Sequence, residues 1–350
     1  MNKKIRDYGL TIGDIKTGKR NSITDVEGVS VGHKTLDDGD IKTGVTAILP
    51  HQGNIFKEKL VAASHVINGF GKSTGLVQID ELGTIETPIV LTNTLSVGAA
   101  NEGIIKYMLK SNEDIGRTTG SINPIVGECN DSVLNDIRAM KITKDHVIEC
   151  LENTGQDFLQ GNVGAGTGMV CFDLKGGIGS SSRIVTLDNK DYTVGVLVLS
   201  NYGSLSDLVV NKKEVGKVIK KDIENHEDTE DKGSIMIILA TDIPVLPTHL
   251  KRLLKRTQNG IARTGAYNGN GSGDVAIGFS TSNIINHYSK SAFHDIKTIR
   301  HDDINQVFKA SVEATEEAIL NSMVSSNTSI GRNNKEIKSL RDYIDKLDLF

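Results

Sequence analysis

The side chains of this 350-residue chain best suited to chemistry are hydroxyls, amides and carboxylates set among glycines. Gly233-Ser234 is the sharpest case. The charged run Glu224 to Lys232 stops there, and the apolar segment Ile235 to Leu239 begins at once. A Gly-Ser step at the mouth of a buried strand commonly does no more than end a loop. The chemical alternative is a self-cleavage point. Ser234 then becomes a new N-terminus, with its hydroxyl as nucleophile and its own α-amine as base. An α-amine has a reference pKa of about 7.7–8.0, so a useful fraction is neutral near pH 7, whereas a lysine at about 10.4 first needs a large shift. Further on, Ser272-Gly273-Asp274 closes a tight loop before the strand Val275 to Ser280. Asn201 ends the apolar run Val194 to Leu199. A neutral amide there can cap a turn or steady an oxyanion. Glu128 and Asp131 follow Ile125-Val126-Gly127. Acids at a strand end are commonly solvated or turn-forming, but one facing a substrate ammonium would select free N-termini.

Other chemistries are disfavoured. Gly69-Phe70-Gly71-Lys72-Ser73-Thr74 resembles a phosphate loop, but Val66 stands where the first glycine is needed. Gly161 to Gly168 is the densest glycine cluster, yet Met169 spoils a dinucleotide fingerprint, leaving close-packed turns or an anion-binding nest. The nine histidines form neither HxxxH nor HExxH, and there is no GxSxG elbow, so no metal or other cofactor is expected. A net charge of −4 argues against nucleic acid. No apolar run reaches membrane-span length, and the basic N-terminus lacks the apolar core of a signal peptide. The three cysteines, with no CxxC, suit a reducing, cytoplasmic compartment.

The elements that must position these groups follow from pattern. Residues 1–22 read as an irregular lead-in, then Ile23 to His33 as a short strand with a turn and Thr43 to Pro50 as a second strand. Residues 59–67 fit a strand or a short helix. Pro88 to Thr94 is a strand, and helices are expected near 101–110, 144–153, after Pro247, and over about 302–324. Residues 211–232 read as an exposed, mobile linker, and the tail from Asn327 as polar. Strands without regular βαβ repeats predict an α+β layered sandwich, with mixed sheets and helices outside.

Several segments, in one order, resemble the DmpA-type peptidases: the L-aminopeptidase/D-esterase and β-peptidyl aminopeptidase group. They are Ile23-Thr24-Asp25-Val26 with Val31-Gly32-His33, Thr92-Asn93-Thr94, Gly127-Glu128 with Asn130-Asp131, Gly161 to Met169, Lys175-Gly176-Gly177-Ile178-Gly179, Ser200-Asn201, Gly233-Ser234, and Ser272-Gly273-Asp274. The resemblance spans about residues 20 to 325. It implies a four-layer α/β/β/α sandwich of the kind shared with ornithine acetyltransferase. It also implies one domain, 1–350, that cuts itself into chains 1–233 and 234–350. Ser234 would be the nucleophile, Ser272 and Asp274 would hold and tune its amine, and Asn201 would supply the oxyanion amide. Glu128 would meet the substrate amine near Asp131 and Val133. Substrates would be small peptides, aminoacyl amides or esters, and the assembly a homo-oligomer, a tetramer of processed heterodimers. Where many relatives carry Gly and an aromatic after the Asn-Asp pair, this chain has Ser132 and Val133, which predicts altered acyl-side specificity. The rivals are an N-terminal-nucleophile acyltransferase, expected to cut before Thr rather than Ser234, and a catalytically silent binding protein.

Overall fold

In the computed structural model, which describes residues 3–223, 233–347 and 349–350, Ile235 to Ala240 form a strand buried on both faces. Ile235, Ile237 and Leu239 enter one apolar core, and Met236, Ile238 and Ala240 enter another. A two-residue period with apolar side chains at every position makes a strand of a middle layer.

In chain order the strands are β1 (Ser30–Asp38), β2 (Ile41–Leu49), β3 (Glu58–Gly69), β4 (Thr84–Ile85), β5 (Ile89–Asn93), β6 (Ile125–Cys129), β7 (Val170–Cys171), β8 (Leu174–Lys175), β9 (Gly177–Leu187), β10 (Lys190–Asn201), β11 (Ser234–Thr241), β12 (Gly273–Asn286), β13 (Ser329–Ile330) and β14 (Glu336–Ile337). The α-helices are α1 (Leu76–Leu82), α2 (Val97–Ser111), α3 (Lys144–Glu152), α4 (Val215–Asp222), α5 (Pro247–Arg263), α6 (Asn305–Val324) and α7 (Leu340–Leu347). One sheet runs β1-β2-β5-β6 and the other β4-β3-β12-β11-β10-β9. Both are mixed, with β5–β6 and β11–β12 the parallel pairs. Helices α2 and α3 cover the first sheet, and α5 and α6 cover the second. The result is the expected four-layer sandwich, with β11 at the centre of its sheet.

Sequence and structure part at several points. The ambiguous stretch 59–67 is the long strand β3, paired antiparallel with β12 along its length. The charged stretch from 211 contains α4, whose Val215 and Ile219 are buried; the rest of that expected linker, Glu224 to Lys232, lies outside the described residues. The polar tail is also ordered: Leu340, Tyr343, Ile344 and Leu349 pack into the helix-side core. The amides of the glycine cluster are spent within the protein. Gly164 N–H goes to Thr35 Oγ1 at 2.8 Å and Ala165 N–H to Thr46 Oγ1 at 3.1 Å, so the cluster is a packed turn and not an open nest.

Helix α6 is buried nearly all round and carries acids as well as its apolar stripe. Glu313 and Glu317 meet the fully buried Arg183 at 3.2 and 2.7 Å, and Arg6 adds a second cation to Glu317 at 2.7 Å. This network pins the N-terminal segment to the centre of the helical layer. Removing one partner would strand a buried charge, at about 3–5 kcal/mol.

Candidate active site

Strand register assembles the site. Asn201, the last residue of β10, lies opposite Ser234, the first of β11, and Ser234 lies beside Gly273, the first of β12. Residues two apart share a face. Asn201 therefore points to the same side as Leu197 and Leu199, and Ser234 to the same side as Met236 and Ile238, which is the space between the sheets. A one-residue slip would turn Ser234 toward the helices.

The hydrogen bonds tie these strand ends together. Gly273 N–H points to both the Gly233 carbonyl at 3.1 Å and the Ser234 hydroxyl at 3.2 Å. Asp274 is fully buried. Its Oδ1 accepts from the Ser272 hydroxyl at 2.6 Å and from Ile235 N–H at 3.2 Å, and its Oδ2 accepts from Asn268 Nδ2 at 2.7 Å. Behind them, Asn68 Nδ2 donates to the carbonyls of Gly269 at 3.0 Å and Ser272, closing the loop. Gly233 admits no side chain. A Cβ there would sit 2.0 Å from the Asn201 carbonyl oxygen and 2.4 Å from Tyr202 Cα, both backbone atoms.

Asn201 is held at both ends of its amide. Oδ1 accepts Val170 N–H at 2.9 Å, and Nδ2 donates to the Asn130 carbonyl at 3.1 Å. That pattern fixes which end is oxygen. Beside it opens a cleft of about 740 Å³, lined by Asn130, Val133, Val170, Gly233, Lys338 and Tyr343 among others. Ser234 is only 6% exposed, and Gly233 rather than Ser234 lines the cleft.

The remaining sequence-named residues differ in how they stand to the cleft. Val133 forms part of its wall and is 38% exposed. Glu128 is buried; Oε1 accepts Lys72 N–H at 2.8 Å, and Oε2 accepts the Thr94 hydroxyl. The glycine loop carrying Lys72 joins it to the strand ends, since a Cβ at Gly71 would lie 3.5 Å from Glu128 Oε1 and 3.6 Å from Gly273 Cα. Asp131 sits behind the cleft in a turn. Its Oδ1 accepts Asn135 Nδ2 at 3.0 Å, and its carbonyl accepts the N–H groups of Leu134 and Asn135. Its Oδ2 makes no hydrogen bond of good geometry among the described residues, although the Thr43 and Asn93 side chains are near enough to favour its charge; burial outweighs them and pushes the carboxyl up to about 6. Sequence reasoning missed Asn268, Asn68 and Val170 N–H, and it took the 69–74 loop only for a rejected phosphate loop, not for part of the site. Only the Asn-Gly pattern at 268–271 signalled a turn there, and nothing signalled where the amides point. Among the described residues, no group of three His, Cys, Asp or Glu side chains could hold a metal ion.

The sequence profile of peptidase family S58 matches residues 21–337. The chain belongs to that family. The β-peptidyl aminopeptidase BapA of Sphingosinicella xenopeptidilytica is 37% identical over 95% of this chain and 88% of its own. A crystallised Pyrococcus horikoshii protein is 51% identical, covers 97% of this chain and 96% of its own, and superposes with a TM-score of 0.92. The L-aminopeptidase D-Ala-esterase/amidase of Ochrobactrum anthropi, described as a prototype serine aminopeptidase with a variant Ntn-hydrolase fold, is 32% identical over 99% of both chains, with a TM-score of 0.89. This S58 chain therefore has the Ntn-hydrolase sandwich and is a hydrolase of the serine aminopeptidase class.

Proposed function

We propose that this S58 peptidase cuts its own Gly233–Ser234 bond and then uses Ser234 to remove N-terminal residues from small peptides, aminoacyl amides or esters. In processing, Ser234 Oγ attacks the Gly233 carbonyl carbon. The acyl group passes from nitrogen to oxygen, and water releases the Gly233 carboxylate and a free Ser234 amine. In turnover, that amine takes the hydroxyl proton as Oγ attacks the substrate carbonyl, and returns it to the departing amine. Water then opens the acyl-enzyme by the same base.

The observation that carries this reading is the register alignment of Asn201, Ser234 and Gly273 on neighbouring strand ends. Asn201 Nδ2 has two N–H groups and Asn130 takes one, so the other serves the oxyanion. The Ser272–Asp274 pair holds the start of β11 through Ile235 N–H and so sets where the new amine sits. Glu128 supplies the charge that selects a substrate ammonium. Val133 shapes the pocket that takes the acyl side chain, while Asp131 braces the turn behind it.

Intact-mass analysis of the purified wild type tests the proposal. Two chains, 1–233 and 234–350, accompanied by hydrolysis of aminoacyl amides are expected. A single chain after long incubation, inert toward such amides, would leave the silent-binding reading. Acyl transfer to an amine in preference to water would favour the acyltransferase.

A further inference from the structure

Lys175 is fully buried in β8. Its ammonium has three N–H donors, and each finds a main-chain carbonyl: Met169 at 2.6 Å, Gly176 at 2.8 Å and Gly166 at 3.0 Å. Among the described residues it makes no ion pair. A buried cation neutralised only by carbonyls is a costly way to fill a core position, and neither self-cleavage nor peptide hydrolysis as set out above uses it.

The Met169–Val170 peptide shows what the cation can do. Its carbonyl accepts from Lys175 Nζ at 2.6 Å and from Gly176 N–H at 3.0 Å. Its N–H donates to Asn201 Oδ1 at 2.9 Å. An unbroken chain therefore runs from the ammonium, through one peptide plane, to the amide at the cleft. Each hydrogen bond in such a chain polarises the next. A cation drawing on the Met169 oxygen makes Val170 N–H a stronger donor. That donor in turn draws electron density toward Asn201 Oδ1 and makes Nδ2–H a stronger donor to a developing oxyanion.

We propose that Lys175 is a positioning residue for hydrolysis, acting through the Met169–Val170 peptide to orient and polarise the Asn201 amide. At longer range, the charges of Cys171 on β7, Asp37 on β1 and Asp131 after β6 favour the protonated form, but less than burial opposes it. The balance brings the ammonium down to about 7. The cation is therefore present on the acid side of neutrality and lost on the alkaline side.

The proposal rests on the reading of Asn201 as oxyanion donor, so the test separates the two. With alanyl p-nitroanilide as substrate, kcat and KM are measured for wild type, Lys175→Met, Asn201→Ala and the double variant. Methionine keeps the length and loses the charge. Lys175→Met should lower kcat about tenfold or more with KM within about twofold, and should cost less than about twofold when Asn201 is already alanine. Equal losses in both backgrounds, or an unchanged kcat, would overturn the positioning role. An unchanged kcat in Asn201→Ala alone would overturn the oxyanion reading and, with it, this proposal. Should Lys175→Met fail to fold, the ratio of wild-type to Asn201→Ala kcat decides, because the Ser234 amine titrates in both. That ratio should fall about threefold or more from pH 6 to pH 9 as Lys175 loses its proton. A flat ratio would overturn the proposal.

Discussion

The backbone N–H of Gly273 lies 3.2 Å from the hydroxyl oxygen of Ser234. The same N–H lies 3.1 Å from the Gly233 carbonyl oxygen. One rigid donor thus holds the proposed attacking oxygen and the oxygen that would carry negative charge when the bond is cut. The parallel pairing of β11 with β12 makes the arrangement, and neither strand could make it alone.

Gly233→Ala should slow self-cleavage by at least about tenfold. The new Cβ would overlap backbone atoms of Asn201 and Tyr202, so the β10–β11 end must open and the Gly273 bonds must lengthen. A time course of precursor cleavage followed by mass spectrometry checks this. Cleavage at the wild-type rate would show that the tight fit at 233 is unimportant.

Ser272→Ala and Asp274→Ala should differ in degree. The first removes one bond to Asp274, which keeps those from Ile235 N–H and Asn268. The second leaves the Ser272 hydroxyl and Asn268 amide without that partner, at about 1–3 kcal/mol for each buried group left unsatisfied. We expect roughly tenfold lower kcat for Ser272→Ala, and a larger loss of both kcat and thermal stability for Asp274→Ala. The reverse order, measured by kinetics and thermal unfolding, would contradict the role given to Asp274.

Val133→Tyr should change substrate choice without changing self-cleavage. Val133 is on the cleft wall, whereas the bonds around Ser234 run through Gly273 and Asp274. A panel of α- and β-aminoacyl amides should shift in relative kcat/KM by about tenfold or more, the scale of a single methylene in a pocket. Identical preferences in both proteins would remove Val133 from the specificity account.

Asp131 supplies a pH-dependent stability term. Burial raises its carboxyl from 3.8 to about 6, so between those values the folded chain keeps a proton that the unfolded chain has lost. The stabilising contribution is complete below about pH 4 and gone above about pH 6. Asp131→Asn abolishes that change. The stability of the variant relative to wild type should therefore rise by about 2 kcal/mol between pH 4 and pH 7. Denaturant unfolding at pH 4, 5, 6 and 7 measures it, and parallel curves would mean that the Asp131 carboxyl is not perturbed.

Much of the site was legible because strand ends are legible. The apolar runs ending at Asn201 and starting at Ile235 locate two strand termini, and Ser272-Gly273-Asp274 marks the third. What no local pattern carries is which strands lie side by side, so the alignment of Ser234 with Gly273 needs the fold. The same holds for amides that act at a distance. Asn268 reads as a turn residue, and its bond to Asp274 depends on how that turn folds back. Val170 acts through its main chain, which has no side-chain signature. The C-terminal segment misled for another reason. Leu340, Tyr343 and Ile344 have helical spacing, but the charged residues around them make the tail read as polar, although Tyr343 and Lys338 help to line the cleft.

Ser234→Ala tests the central claim most directly. The hydroxyl is the only group removed, and its hydrogen-bond partner, Gly273 N–H, keeps the Gly233 carbonyl. Intact mass and turnover of an alanyl anilide are read on the same purified sample. We expect one uncut chain of 350 residues with no detectable hydrolysis. Cleavage that persists between residues 233 and 234, or hydrolysis at the wild-type rate, would mean that the nucleophile lies elsewhere.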